Sequence, residues 1–480
     1  MSRKGIQRDM MFYMPAKVLE GIIGVVAISV YSRLLSPDEY GKYGLINPLI
    51  LITFTLISGW VYHSAYRFSN DESFDASTLL STLAAMLLGS QFVAGILLVL
   101  ERYYFKYDIS PLLLIVFYLS YSTYQVLSGL LVSKRYVRSA VFVSLGAMII
   151  KLLAMVGLYY MGVQNHMAIL FGNFISDTLL ALTIATILKI RINFKHVDLK
   201  PVKSFIAFGY PLIGLSFTMM IMSLSDRFII KLFYSEAEVG IYTANYSVAS
   251  AAFTLLTVGL MRAVYPNILS SFQKGDVKDT EHLLAQSIRL YQLIAIPAAF
   301  GLWMISQGVS EFILDEAYVE GAAIIGYVAF GMFFLGLSEY ASKPFELTKK
   351  TNSIFIISIA GALLNILLNF IFIPIYGYAV AALTTAASYA FHSILMVIFG
   401  SKRIKLRFDI KALISVVIAS VAMTLTGFWL LDRVSGKVTL ILVIFASALV
   451  YFVGIGVSGA YKQEIKLFRE LIGGRRHASK

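Results

Sequence analysis

The stretch SPDEYGKYGLI, Ser36 to Ile46, is echoed about two hundred residues later by SEAEVGIYTA, Ser235 to Ala244. Ser36, Glu39, Gly41 and Tyr43 in the first copy answer Ser235, Glu238, Gly240 and Tyr242 in the second. Upstream of each copy, FYMP (Phe12 to Pro15) answers FGYP (Phe208 to Pro211), which puts Pro15 and Pro211 near equivalent helix starts. A second match follows in the same order. VSKRYVRSAVFVSLGAMIIKLLAMVGLYYMGV from Val132 lies against LTKKTNSIFIISIAGALLNILLNFIFIPIYGY from Leu347, with Lys134 opposite Lys349, Gly146 opposite Gly361 and Gly162 opposite Gly377. Gly41 and Gly240 read as the φ > 0 residues of a tight helix restart, and Tyr43 and Tyr242 as membrane–water interface residues.

What separates the copies is hydrocarbon-like chain. Of 480 residues, 58% are hydrophobic and only 14% charged, too apolar for soluble cores and too poor in charge for a soluble exterior. A bilayer-crossing helix needs about 20 mostly apolar residues. Windows of that kind fall near 10–32, 44–66, 78–100, 110–133, 139–161, 166–188, 205–230, 240–264, 283–306, 321–342, 353–374, 378–399, 411–431 and 438–460. The segments are long and do not alternate, which argues against an outer-membrane barrel. The expected fold is therefore an all-α integral membrane bundle of fourteen helices.

Six helices lie between the repeat copies, an even number, so the two halves share one orientation and are expected to be parallel repeats, a transporter architecture. The expected domains are an N-terminal lobe at 1–190, a linker at 191–204, a C-terminal lobe at 205–400, two extra helices at 401–460 and a basic tail at 461–480. Lys and Arg concentrate on alternate breaks and in the tail, whereas the break QGVSEFILDEAYVE is purely acidic. By the positive-inside rule both termini are cytoplasmic. The net charge of +13 thus encodes topology and contact with anionic membrane lipids rather than nucleic-acid binding. The absence of Cys removes disulfides, Cys-ligated metals and thiol chemistry. No His cluster and no phosphate-cradling loop is present, so no cofactor is expected.

At this point the chain resembles a known family. RLLSPDEYGKYG, DRFIIKLFYSEAEVGIYTANYSVA and LNILLNFIFIPIYGYAVAALTTAASY look like the polysaccharide transporters, including the O-antigen flippases, of the multidrug/oligosaccharidyl-lipid/polysaccharide exporter superfamily. The resemblance covers roughly residues 5–400. It implies two six-helix lobes in a V around a central cavity, here followed by two extra helices. It further implies alternating-access movement of an undecaprenyl-diphosphate-linked oligosaccharide across the bacterial inner membrane for O-antigen, capsule or exopolysaccharide synthesis. The lipid-linked oligosaccharide, a coupling ion (H⁺ or Na⁺) and polysaccharide polymerase machinery are the partners implied.

Ionisable groups within membrane spans are functional candidates by default. Lys151 and Asp177 lie deepest and can meet across adjacent antiparallel helices. They are either a neutralising pair, or a cation for a diphosphate beside a proton-binding carboxylate. Lys17 and Glu20 share one helix face; Lys17 is placed for headgroup capture or for snorkelling, and Glu20 is a second coupling candidate. Arg262 lies near a helix end, where snorkelling or local pairing is the competing use. Asp226 and Arg227 precede the second repeated turn as a helix brace or ligand contact. Asn365 and Asn369 form a polar stripe for sugar hydroxyls or for interhelical hydrogen bonds. A drug or cation exporter of the same superfamily and a lipid II flippase are the alternatives. A membrane glycosyltransferase or polymerase is disfavoured because the breaks between helices are too short to hold a catalytic domain.

Overall fold

The computed structural model describes residues 3–71, 74–105, 107–433 and 437–461; within these, the side chains of 3–15, 17, 105, 211, 255, 258, 262, 263 and 437–439 lie outside the described residues. Among the described residues fourteen long helices follow one another: α1 Arg3–Leu34, α2 Pro37–Phe68, α3 Ala76–Phe105, α4 Pro111–Ser133, α5 Val137–Tyr160, α6 Met167–Ile187 and α7 Val202–Phe233. Then come α8 Glu236–Gln273, α9 Val277–Met304, α10 Ala322–Ala341, α11 Thr351–Tyr376, α12 Val380–Ser401, α13 Ile410–Leu431 and α14 Lys437–Ser458. Thirteen helices among the described residues, α2 to α14, are long and apolar enough to cross a bilayer. The fourteenth expected span, 10–32, falls in α1, much of whose first half lies outside the described side chains. The chain is a multi-pass helical membrane protein.

By proximity the chain divides into two compact units. The first comprises Met1–Ala244 with Ile313–Tyr318 and Ile373–Tyr378; the second comprises Asn245–Phe312, Val319–Phe372 and Ala379–Lys480. The division falls inside α8, whereas the repeat boundary read from the sequence is the 191–204 linker. Within the first unit α7 packs along α2, and α6 is held between α4 and α5. Gly172 lets α6 approach α5: a Cβ there would stand 2.9 Å from the Lys151 carbonyl oxygen. Leu131, Val143, Ala147, Leu180 and Ile184 form the apolar seam of these three helices. In the second unit α10 packs on α9 and α12. The last two helices dock onto α9, where Ile296 meets Val416, Met423, Tyr451 and Ile455 in one buried cluster.

The repeated stretch begins a helix each time. Ser36 caps α2, its Oγ accepting the Glu39 backbone N–H at 3.4 Å, with Pro37 in the first turn. In the second copy the carboxylate of Glu238 accepts the Ser235 backbone N–H at 3.0 Å, the reciprocal half of a capping box. Gly41 and Gly240 do not supply the φ > 0 geometry expected of them: both lie inside helices and neither is among the positive-φ residues. They are there for closeness. A Cβ on Gly41 would overlap the Glu236 carbonyl oxygen, and one on Gly240 would overlap the Pro37 carbonyl oxygen. Within the first unit, then, the two copies pack against each other, each glycine on the other's first turn.

Positive φ appears instead at the aligned pair Gly162 (106°) and Gly377 (89°), which turn the chain after α5 and after α11. Tyr242 is fully buried and its hydroxyl donates to Asp226.

Candidate substrate and coupling site

Lys151 on α5 and Asp177 on α6 meet as the sequence allows, with Lys151 Nζ 3.0 Å from Asp177 Oδ1. The Asp177 side chain is 3% exposed and that of Lys151 26%. The asymmetry comes from position: Asp177 lies on the buried face of α6, while Lys151 is partly exposed. Both line a cavity, which has a volume of about 330 Å³ and lies wholly within the first unit. That volume is at the lower end of ligand-binding pockets.

The remaining lining is strongly polar for a membrane bundle. Tyr43 and Asn47 enter from α2, Tyr121 and Gln125 from α4, and Asn173 from α6 one turn before Asp177. Tyr31 closes the α1 side. The contributions of α2, α4 and α6 are each an i, i+4 polar pair, so each of these helices presents its two groups on one face. A buried carboxylate facing a cation among hydroxyl and amide groups can exchange its ion pair for a proton, a small cation or an anion on the lysine. Sequence reasoning missed the amides and tyrosines; the recurrence of polar residues four apart in otherwise apolar helices was the signal available.

The other candidates fall elsewhere. Glu20 lies on α1 and accepts the Ser144 hydroxyl of α5 at 2.6 Å, so it belongs to the same unit although it does not line the cavity. Asp226 and Arg227 are 1% and 5% exposed. Arg227 donates to the Ser223 carbonyl at 2.8 Å and faces Asp226 Oδ1 at 3.3 Å, and Tyr242 completes the cluster. This is the bracing use, which ties α7 to the start of α8.

Asn365 and Asn369 are fully buried. Asn365 donates to Thr385 at 3.0 Å, Asn369 donates to Asn365 at 3.2 Å, and Thr384 donates to Asn369. They clasp α11 to α12, the interhelical of the two uses open to them in the sequence. The side chains of Pro15, Lys17, Pro211 and Arg262 lie outside the described residues.

An unanticipated cluster ties the first repeated turn to its own unit. Glu39 Oε2 accepts the His166 backbone N–H at 2.8 Å and lies 2.7 Å from His166 Nδ1, while His166 Nε2 faces the Asp108 carbonyl at 3.0 Å. Lys42 pairs with Glu39 at 2.7 Å and with Asp38 at 2.9 Å.

A bundle of this many apolar helices, with a polar, ion-paired cavity inside its first unit, defines a multi-pass membrane protein. The chain belongs to the polysaccharide biosynthesis protein family, whose model matches residues 30–323. It is 22% identical over 265 residues to the probable low-salt glycan biosynthesis flippase Agl15 of Haloferax volcanii, covering 55% of this chain and 56% of that one. It is also 25% identical over 257 residues to the probable flippase AglR of the same organism, covering 52% and 53%. The chain thus spans about half the length of the curated relatives it matches. In fold it is similar to the lipid II flippase MurJ in an inward-closed conformation, with a TM-score of 0.77, 17% identity and coverage of 95% of this chain and 100% of that one. It is also similar to an inward-facing multidrug transporter of the MATE family, with a TM-score of 0.64, 13% identity and coverage of 81% and 94%.

Proposed function

We propose that this chain is a flippase that moves a lipid-linked oligosaccharide across the membrane by alternating access. The carrier is undecaprenyl diphosphate and the setting the bacterial inner membrane, with both termini cytoplasmic and the product passed to polysaccharide polymerase machinery for O-antigen, capsule or exopolysaccharide. The observation that carries the reading is the family match over residues 30–323. The polar cavity within an otherwise apolar unit adds support, because a lipid tail can stay in hydrocarbon whereas sugars and phosphate groups need polar partners along their route. In this reading Lys17, Lys151 and Arg262 supply positive charge for the headgroup. Asp177 and Glu20 are the carboxylates through which H⁺ or Na⁺ couples to movement, with Asp177 releasing Lys151 when it takes the ion. The lobes are the repeats 1–190 and 205–400, with 401–460 as an addition.

The test is the leaflet distribution of the lipid-linked oligosaccharide in cells depleted of the chain. Accumulation on the cytoplasmic leaflet, reversed by the wild-type chain and not by a stably expressed Asp177→Asn/Glu20→Gln variant, is the expected outcome. An unchanged distribution on depletion refutes transport of this substrate. Full reversal by the variant with unchanged pH dependence refutes the coupling roles.

A further inference from the structure

The second unit carries a groove that the transport reading does not use. It has a volume of about 450 Å³ and lies between the start of α11 and the end of α12, with Lys402 and Arg403 on one side, Ser353 on the other, and Ile356, Phe399 and Phe345 as apolar walls. Lys402 Nζ sits 4.9 Å from the centre of the Phe399 ring, and the Arg403 guanidinium 5.4 Å from that of Phe345. Both cations are exposed, and neither has an ion-pair partner among the described residues. Two more exposed lysines, Lys349 and Lys350, immediately precede α11, whose first turn holds no acidic residue. Lys349 and Lys350 stand at the positive end of the α11 dipole, and Lys402 and Arg403 just beyond the last turn of α12; none of the four is ion-paired among the described residues, which leaves their charge open to an external anion.

The groove also opens onto a lane of exposed apolar side chains. Ile356 is 66% exposed and Phe399 43%. Along α11 the stripe continues through Ile359, Leu363 and Leu367, all exposed and spaced three to four residues apart, hence on one helix face. From Ile356 to Leu367 the helix advances about 16 Å, close to the roughly 15 Å depth of one hydrocarbon leaflet. A free inorganic anion has no use for such a lane, whereas a phospholipid fills both parts.

We propose that this groove binds one anionic glycerophospholipid, with its phosphate against Lys402, Arg403 and Ser353 and an acyl chain along Ile356, Ile359, Leu363 and Leu367. The site does not depend on the flippase reading, because retention of lipid is measured without transport.

The full-length protein is purified in mild detergent supplemented with phosphatidylglycerol or phosphatidylcholine, and retained lipid is counted by native mass spectrometry. Lys402→Ala/Arg403→Ala is compared with Lys195→Ala/Lys200→Ala, a control that removes the same charge from exposed positions elsewhere. The expected result is retention of phosphatidylglycerol by the wild type and the control, and a loss of about ten-fold or more in the groove variant. Phosphatidylcholine retention stays unchanged in all three. Leu363→Gln is expected to lower retention with the cations intact. Equal phosphatidylglycerol retention by groove variant and control overturns the site. Displacement of the lipid by millimolar inorganic phosphate overturns it in favour of a free-anion site, and preferential displacement by undecaprenyl diphosphate in favour of a site for the transported lipid.

Discussion

Replacing Gly41 by Ala adds one methyl group at the point where the two repeat copies touch. Elsewhere in a helix the change is favourable by about 0.5–1 kcal/mol, because Ala restricts the unfolded chain. Here the new Cβ would overlap the Glu236 carbonyl oxygen, well inside the 3.0 Å that real Cβ atoms respect, and the Gly240 backbone lies beside it. Neither neighbour is a side chain that can rotate away. The two helix starts must part by more than about 1 Å to restore ordinary contact, and overpacking of this kind costs about 1–3 kcal/mol. With backbone on both sides the upper part of that range applies, leaving a net loss of about 2 kcal/mol, or roughly 4 °C in the unfolding midpoint of a unit of this size.

Gly89→Ala and Gly157→Ala are the controls, since a Cβ at either meets nothing within 4 Å. Thermal unfolding of the purified protein, followed by intrinsic fluorescence, is expected to rank Gly41→Ala and Gly240→Ala several degrees below both controls. Because the two glycines share one contact, the double variant should lose at least about 1 kcal/mol less than the sum of the singles. Gly41→Ala unfolding at the same temperature as Gly157→Ala would refute the argument from close approach.

Lys151→Ala leaves the nearly inaccessible Asp177 carboxylate without its cation and is expected to cost about 3 kcal/mol, whereas Lys151→Met/Asp177→Leu should recover most of that stability; unfolding midpoints of the single and double variants check this. In this Cys-free chain, cysteines replacing the exposed residues Ala317 and Lys405 should be labelled by an impermeant thiol reagent from outside only and from inside only, respectively; labelling of both from one side would reverse the charge-based topology.

Much of the fold was legible because hydrocarbon thickness dictates helix length. The expected windows 110–133, 139–161 and 166–188 lie within about two residues of α4, α5 and α6. The pairing of Lys151 with Asp177 was legible too, since consecutive antiparallel helices bring equal depths together. The reason for the repeated glycines was not: in sequence, a Gly that permits an unusual φ and a Gly that permits a close neighbour look alike, and only the position of Glu236 against Gly41 separates them. The asparagines of α11 illustrate the same limit. An i, i+4 polar stripe says that one face is polar, and the threonines of α12 decide that the face is spent inside the protein. Glu39 and His166, 127 residues apart, left no local trace at all.

The glycine contact has the form of an isologous interface, of the kind two identical subunits make across a twofold axis, yet both partners belong to one polypeptide. In such an interface any change on one surface is confronted by its equivalent on the other. A side chain introduced at either glycine would meet the main chain of the opposite copy, so each copy sets the space allowed to the other.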